Sequence, residues 1–174
     1  AESIITSGKQ DRKGERSGNE MSKGIRDRVA VIGMGCTKFA EHWDKSVDDL
    51  LVDAAYEAFE DAGIEPTDIE AAWLGTMASG YAGFTLAGPL KTQYIPVTRV
   101  ENLCATGSEA FRNACYAVAS GVYDIVLAIG VEKLKDSGYS GLTRPQPPSD
   151  GTAPNITAPA SFSFLAPAYF KKYG

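Results

Sequence analysis

Cys104 lies in the run Arg99-Val-Glu-Asn-Leu-Cys-Ala-Thr-Gly-Ser-Glu-Ala-Phe-Arg-Asn-Ala114, where a β-type segment hands a thiol to the start of a helix. The preceding Ile95-Pro-Val-Thr-Arg-Val100 is rich in β-branched residues, and Ala110, Phe111, Ala114, Cys115 and Val118 then recur at helical spacing. At such a junction, unpaired backbone N–H groups and the positive end of the helix dipole favour thiolate over thiol, and the thiolate is the nucleophile. Gly107 allows a second chain or a substrate to approach closely. A buried structural thiol is the commoner fate of a lone cysteine, and spacing leaves both readings open.

Other chemistries find less support. Cys36, Cys104 and Cys115 form no C-x-x-C pair and His42 is the single histidine, so neither a disulfide framework nor a metal site is expected. Gly33-x-Gly35 follows an apolar run, but Lys38 occupies the position of the third glycine of a dinucleotide fingerprint, and no helix opens on that turn. His42 sits in the same connection and is expected to be solvated. Asp48, Asp49, Asp53, Glu57, Glu60 and Asp61 share a segment with an apolar stripe, so they read as its solvated face.

The elements that must position Cys104 follow from hydrophobic pattern. Val29-Ala-Val-Ile-Gly33 and Ile125-Val-Leu-Ala-Ile-Gly130 read as strands buried on both faces. Ser46 caps a helix whose apolar residues run from Val47 to Ala62, with Asp48 and Asp49 in its first turn and Gly63 as its stop. Glu65 to Asp68 makes a turn, a second strand falls within Ile69 to Thr76, and a weak helical signal covers Leu86 to Thr92. This order predicts a layered α/β sheet with ligands beyond the carboxyl ends of its strands, where Cys36 and Cys104 both fall. Residues 1–24 carry little apolar material after Ile5 and are expected to be a disordered leader or tag, with Met21 a candidate natural start. Residues 25–136 form the expected α/β domain. Residues 137–174 begin with a Pro-rich excursion and continue with helical spacing at Phe164, Leu165, Ala168 and Tyr169, which Pro167 either kinks or restarts.

The 174 residues are 44% hydrophobic and 22% charged, ordinary globular material. A formal net charge of -5 argues against a nucleic-acid groove. No apolar stretch approaches the roughly 20 residues that span a bilayer, so no membrane partner is expected and cytoplasm is the expected compartment.

With Cys104 at a strand-to-helix junction, the chain resembles the N-terminal half of a thiolase, or acetyl-CoA acetyltransferase, of the sterol-carrier and archaeal groups. Val29-Ala-Val-Ile-Gly-Met-Gly-Cys-Thr-Lys-Phe39 is similar to the family's first strand, Glu101-Asn-Leu-Cys-Ala-Thr-Gly-Ser-Glu-Ala110 to its nucleophile motif, and Ala128-Ile-Gly-Val-Glu-Lys133 to the strand that follows. Ala166 to Gly174 resembles the start of the family's loop domain, so coverage is about residues 25–174. The resemblance implies a thiolase-like layered fold and acyl transfer from a coenzyme A thioester through a covalent intermediate on Cys104, in the direction of condensation or thiolysis. It implies no permanently bound cofactor and a homodimer or heteromeric thiolase assembly. The family's histidines, its second cysteine and most of its oxyanion hole belong to a C-terminal half, so the chain reads as an excerpt, expected to be inactive alone and to self-associate. The rival readings are a ketoacyl synthase and a non-catalytic thiolase-like subunit.

Overall fold

Two short segments, Glu2–Gly8 (β1) and Val29–Cys36 (β2), pair antiparallel in the computed structural model, which describes residues 1–8, 24–138 and 158–174. The chain continues through helix α1 (Val47–Ala62), strand β3 (Ala71–Gly75), helix α2 (Phe84–Leu90), strand β4 (Val97–Val100), helix α3 (Thr106–Ala119) and strand β5 (Ile125–Gly130). The strands form one mixed sheet in the order β2-β1-β5-β3-β4. β3 runs parallel to β4 and β5, whereas β1 lies antiparallel between β2 and β5.

Over Glu2–Gly8, β1 departs from the expectation that residues 1–24 form a disordered leader or tag. Residues 9–23 lie outside the described residues, but Glu2–Gly8 hydrogen-bonds to a strand on either side, with Ile5 opposite both Gly33 and Leu127. The reason is contextual. A seven-residue segment with few large apolar groups cannot order itself, yet two flanking strands satisfy its backbone on both edges. Ile5 is fully buried, and buried Ser3 donates its hydroxyl proton to the Ala54 carbonyl of α1 at 2.6 Å.

Alternation along the inner strands builds two cores. Ala72, Leu74, Leu127 and Ile129 face α1 and α2, where Leu51, Ala55, Phe59, Leu86 and Leu90 cover them. Ala71, Val126 and Ala128 face the other way, onto Ala110, Ala114 and Val118 of α3. Each large aliphatic side chain removed from water contributes about 1.5–3 kcal/mol, so the helices are fixed mainly by these stripes. α1 opens on a reciprocal capping box between Ser46 and Asp49 and closes on Gly63, whose φ of 67° lies in the left-handed region. The glycines that suggest a dinucleotide loop have another purpose. A Cβ on Gly35 would overlap the Ala54 carbonyl oxygen and one on Gly33 that of Ala58, so both admit α1 directly onto β2.

The described residues divide into two units, Ala1–Lys133 and Leu134–Gly174. In the second, residues 139–157, including most of the Pro-rich excursion, lie outside the described residues. Helix α4 (Ala158–Ser163) precedes α5 (Leu165–Tyr173), and Pro167 falls in the first turn of α5, where its missing N–H costs little.

Replacing Ile5 by Ala removes a fully buried side chain from the middle of the sheet and is expected to cost about 2–5 kcal/mol. A urea melt measures this directly. An unchanged midpoint would contradict the placement of β1.

Candidate functional site

β4 ends at Val100, and six residues later α3 begins, so the chain between must reverse sharply. Asn102 has φ -155° and ψ 50°, and Leu103 takes a positive φ of 47°, a conformation that costs a non-glycine residue about 1–3 kcal/mol unless its surroundings hold it. Here they do. The Glu101 carboxylate accepts the Leu103 N–H at 2.6 Å, and the Asn102 carbonyl accepts the Ala105 N–H at 2.9 Å. The Thr106 hydroxyl accepts the Asn102 N–H at 2.8 Å and donates to the Leu103 carbonyl at 2.7 Å. Cys104 rides on the 3-10 turn Leu103–Ala105 and is exposed. That removes the structural-thiol reading for Cys104; Cys115, on the inner face of α3, is the buried one.

The first turn of α3 also sits hard against the sheet. A Cβ on Gly75, the last residue of β3, would lie 3.1 Å from Thr106 Cγ2 and 3.2 Å from the Thr106 carbonyl oxygen. Thr76 N–H donates to Val100, and Val131 N–H donates to Gly75, so the ends of β3, β4 and β5 are laced together beneath the turn. Glu132 secures the chain after β3, its carboxylate accepting the N–H groups of Met77 and Ala78 and the Ser79 hydroxyl at 2.8–3.1 Å. Arg99 donates to the Met77 carbonyl at 3.0 Å. Buried Lys133 donates its ammonium protons to the carbonyls of His42 and Lys45 at 2.5 and 2.7 Å, tying down the connection after β2. In the sequence, Thr106, Glu132 and Lys133 stood out only as parts of the runs that carry the family resemblance. The one available signal for Thr106 was a hydroxyl four residues after Asn102.

The remaining candidates separate from the turn. Cys36 ends β2, at the opposite edge of the sheet, four strand spacings or about 19 Å from β4. Desolvation, with the Glu2 carboxylate, pushes its thiol above the ordinary 9.0, and burial does the same to Cys115. The His42 ring hydrogen-bonds the Lys38 carbonyl at 2.7 Å. The acidic residues of α1 are exposed as expected, but two also hold the outer edge of β2: Asp61 accepts the Met34 N–H and Glu57 the Cys36 N–H. A methyl group placed on Gly107, in the first turn of α3, would meet nothing among the described residues within 4 Å beyond its chain neighbours and its own helix. Among the described residues, no three histidine, cysteine or carboxylate side chains gather as a metal cluster, and no helix is long and apolar enough to cross a membrane.

The match to known sequences decides the family. Residues 29–152 fit the description Thiolase, N-terminal domain. The chain belongs to the thiolase family. It is 38% identical over 164 residues to an acetyl-CoA acetyltransferase of Methanothermobacter thermautotrophicus, a match covering 86% of this chain and 41% of that one. It is 34% identical over 171 residues to sterol carrier protein 2 of Gallus gallus, covering 86% of this chain and 30% of the relative. The thiolase-family chain thus spans about two-fifths or less of these relatives. Its fold is similar to that of the Acat5 thiolase from Ascaris suum in complex with coenzyme A, with TM-score 0.50 at 17% identity, covering 69% of this chain and 32% of that one. The expected thiolase-like α/β architecture is therefore the one observed, and the matched residues begin at β2, leaving β1 outside them.

Charge on the first turns of α3 gives a measurable consequence. The Glu109 carboxylate accepts bonds from Arg112 and Asn113 that hold it below its ordinary value of 4.5, with Arg112 the larger cause. Because the folded value is depressed, its stabilisation is present above the unfolded value and is lost as pH falls through the folded one. Substituting Arg112→Ala is expected to move the Glu109 midpoint upward in a carboxyl NMR titration; an unmoved midpoint would refute the assignment of cause.

Proposed function

We propose that this chain carries the nucleophile of a thiolase-type acyltransferase, with Cys104 as the residue acylated. Its Sγ attacks the carbonyl carbon of an acyl-CoA. A new C–S bond forms to Cys104, the bond to coenzyme A sulfur breaks, and the departing coenzyme A thiolate takes up a proton. The acyl group then passes to the α-carbon of a second acyl-CoA, which loses a proton as the new C–C bond forms and the bond to Cys104 Sγ breaks, giving a 3-ketoacyl-CoA. In the reverse sense Cys104 Sγ attacks the 3-keto carbonyl, that C–C bond breaks with a proton taken up by the released acyl-CoA, and the thiol of coenzyme A then takes the acyl group from Cys104. Splitting the exchange in two lowers the barrier of each step. Coenzyme A thioester is thus substrate, with no permanently bound cofactor invoked.

The observation that carries this reading is the exposed thiol on a braced turn at the start of α3, inside the residues that match the family. Support comes also from the names of the relatives, an acetyl-CoA acetyltransferase among them, and from the coenzyme A complex of the similar fold. The acid/base histidine, the second cysteine and most oxyanion donors are assigned to the C-terminal half of the family's fold, and the assembly is proposed to be a homodimer or a heteromeric complex. Residues 137–174 are assigned to the start of the loop domain, and the isolated chain is assigned no complete turnover.

Incubation of the chain with acetyl-CoA, read by intact mass and peptide mapping, tests the reading. One acetyl group on Cys104, absent from Cys104→Ser, is expected. Acetylation elsewhere, or none on Cys104 in the chain extended to the length of its relatives, would refute it and leave a thiolase-like scaffold.

A further inference from the structure

We propose that Thr106 is a positioning residue for the thiol of Cys104, acting through its hydroxyl on the backbone of the turn before it. The inference rests on the reading of Cys104 as the acylated residue, and extends it to what holds that residue ready. A single oxygen makes two opposed bonds to the peptide units that flank the Asn102–Leu103 pair, accepting from Asn102 N–H at 2.8 Å and donating to the Leu103 carbonyl at 2.7 Å. Those bonds bracket two residues with uncommon dihedrals, Asn102 with ψ 50° and Leu103 with φ 47°. Leucine adopts a positive φ only where its neighbours impose it. The Thr106 backbone N–H also bonds the Leu103 carbonyl, so that oxygen is gripped twice by one residue. The Glu101 carboxylate closes the remaining N–H of Leu103 at 2.6 Å.

The consequence is mechanical. Without the hydroxyl, the Asn102 N–H and one bond to Leu103 are released, the turn relaxes toward negative φ at Leu103, and the Cα–Cβ direction of the next residue swings with it. Displacements of about 1 Å at a reacting group can cost on the order of a hundredfold in rate. Thr106 does not touch the substrate in this account; it sets where Cys104 points.

The test compares Thr106→Val, which keeps the branched shape and loses the hydroxyl, with Thr106→Ser, which keeps the hydroxyl and loses a methyl. Three readouts are taken on the full chain: acetylation of Cys104 by acetyl-CoA, alkylation of Cys104 by iodoacetamide relative to Cys36, and hydrogen exchange of the Asn102 amide. Thr106→Val is expected to slow acetylation at least tenfold, to change the alkylation ratio at least threefold and to lose protection at Asn102. Thr106→Ser is expected to stay within threefold of wild type. Adding Leu103→Gly to Thr106→Val, so that a positive φ no longer meets a side-chain penalty, is expected to recover much of the lost rate. Equal behaviour of the valine and wild-type chains, or a serine variant as slow as valine, overturns the proposal. Failure of wild type to acetylate, both in this chain and in the chain extended to the length of its relatives, defeats the reading of Cys104 instead, and the alkylation ratio and Asn102 exchange then still decide the role of Thr106. Should Thr106→Val not fold, Glu101→Ala, at an exposed position, removes the other side-chain bond to Leu103 and must alter the same alkylation ratio.

Discussion

The arrangement around Cys104 depends on how closely the first turn of α3 can approach the end of β3. Gly75 permits that approach, since even one methyl there would press on both the side chain and the carbonyl of Thr106. The turn before α3 is short and carries Leu103 at positive φ, held by hydrogen bonds to Glu101 and Thr106 rather than by a glycine. An exposed thiol on a rigid support is the result. For the nucleophile role proposed for Cys104, such support matters because a group held near its reacting geometry avoids the entropic cost of finding it.

A second constraint lies at the far side of the sheet. β2 reaches the other strands only through β1, which satisfies backbone groups on two edges at once. The outer edge of β2 is partly covered by Glu57 and Asp61 of α1, which answer two of its N–H groups and blunt it against further strand addition. β1 lies outside the residues that match the family, yet it completes the sheet on which the matched helices rest.

Much of this was legible in the amino-acid sequence, for identifiable reasons. The unbroken Ile125–Gly130 run signalled burial on both faces, and the two cores indeed divide its side chains between them. Ser46, the stripe to Ala62 and Gly63 marked α1 from cap to stop. By contrast, β1 was invisible because its order comes from neighbours distant in sequence, and its own burial includes the polar Ser3 and Thr6. Gly88 and Pro89 weakened the signal for α2, which forms because Leu86 and Leu90 reach the core. At the site, the thiol and the junction were legible. The left-handed turn was not, since leucine at position 103 is no signal for positive φ. Nor were the bonds of Glu132 and Lys133, which join segments more than fifty residues apart.

Backbone contact between β3 and α3 thus sets the position of Cys104. The most direct test is the rate at which acetyl-CoA labels Cys104 in Gly75→Val relative to wild type, with circular dichroism confirming that the helices remain. A fall of at least tenfold is expected, because the added side chain must push the first turn of α3 outward. Labelling at the wild-type rate in a folded Gly75→Val chain would contradict that dependence.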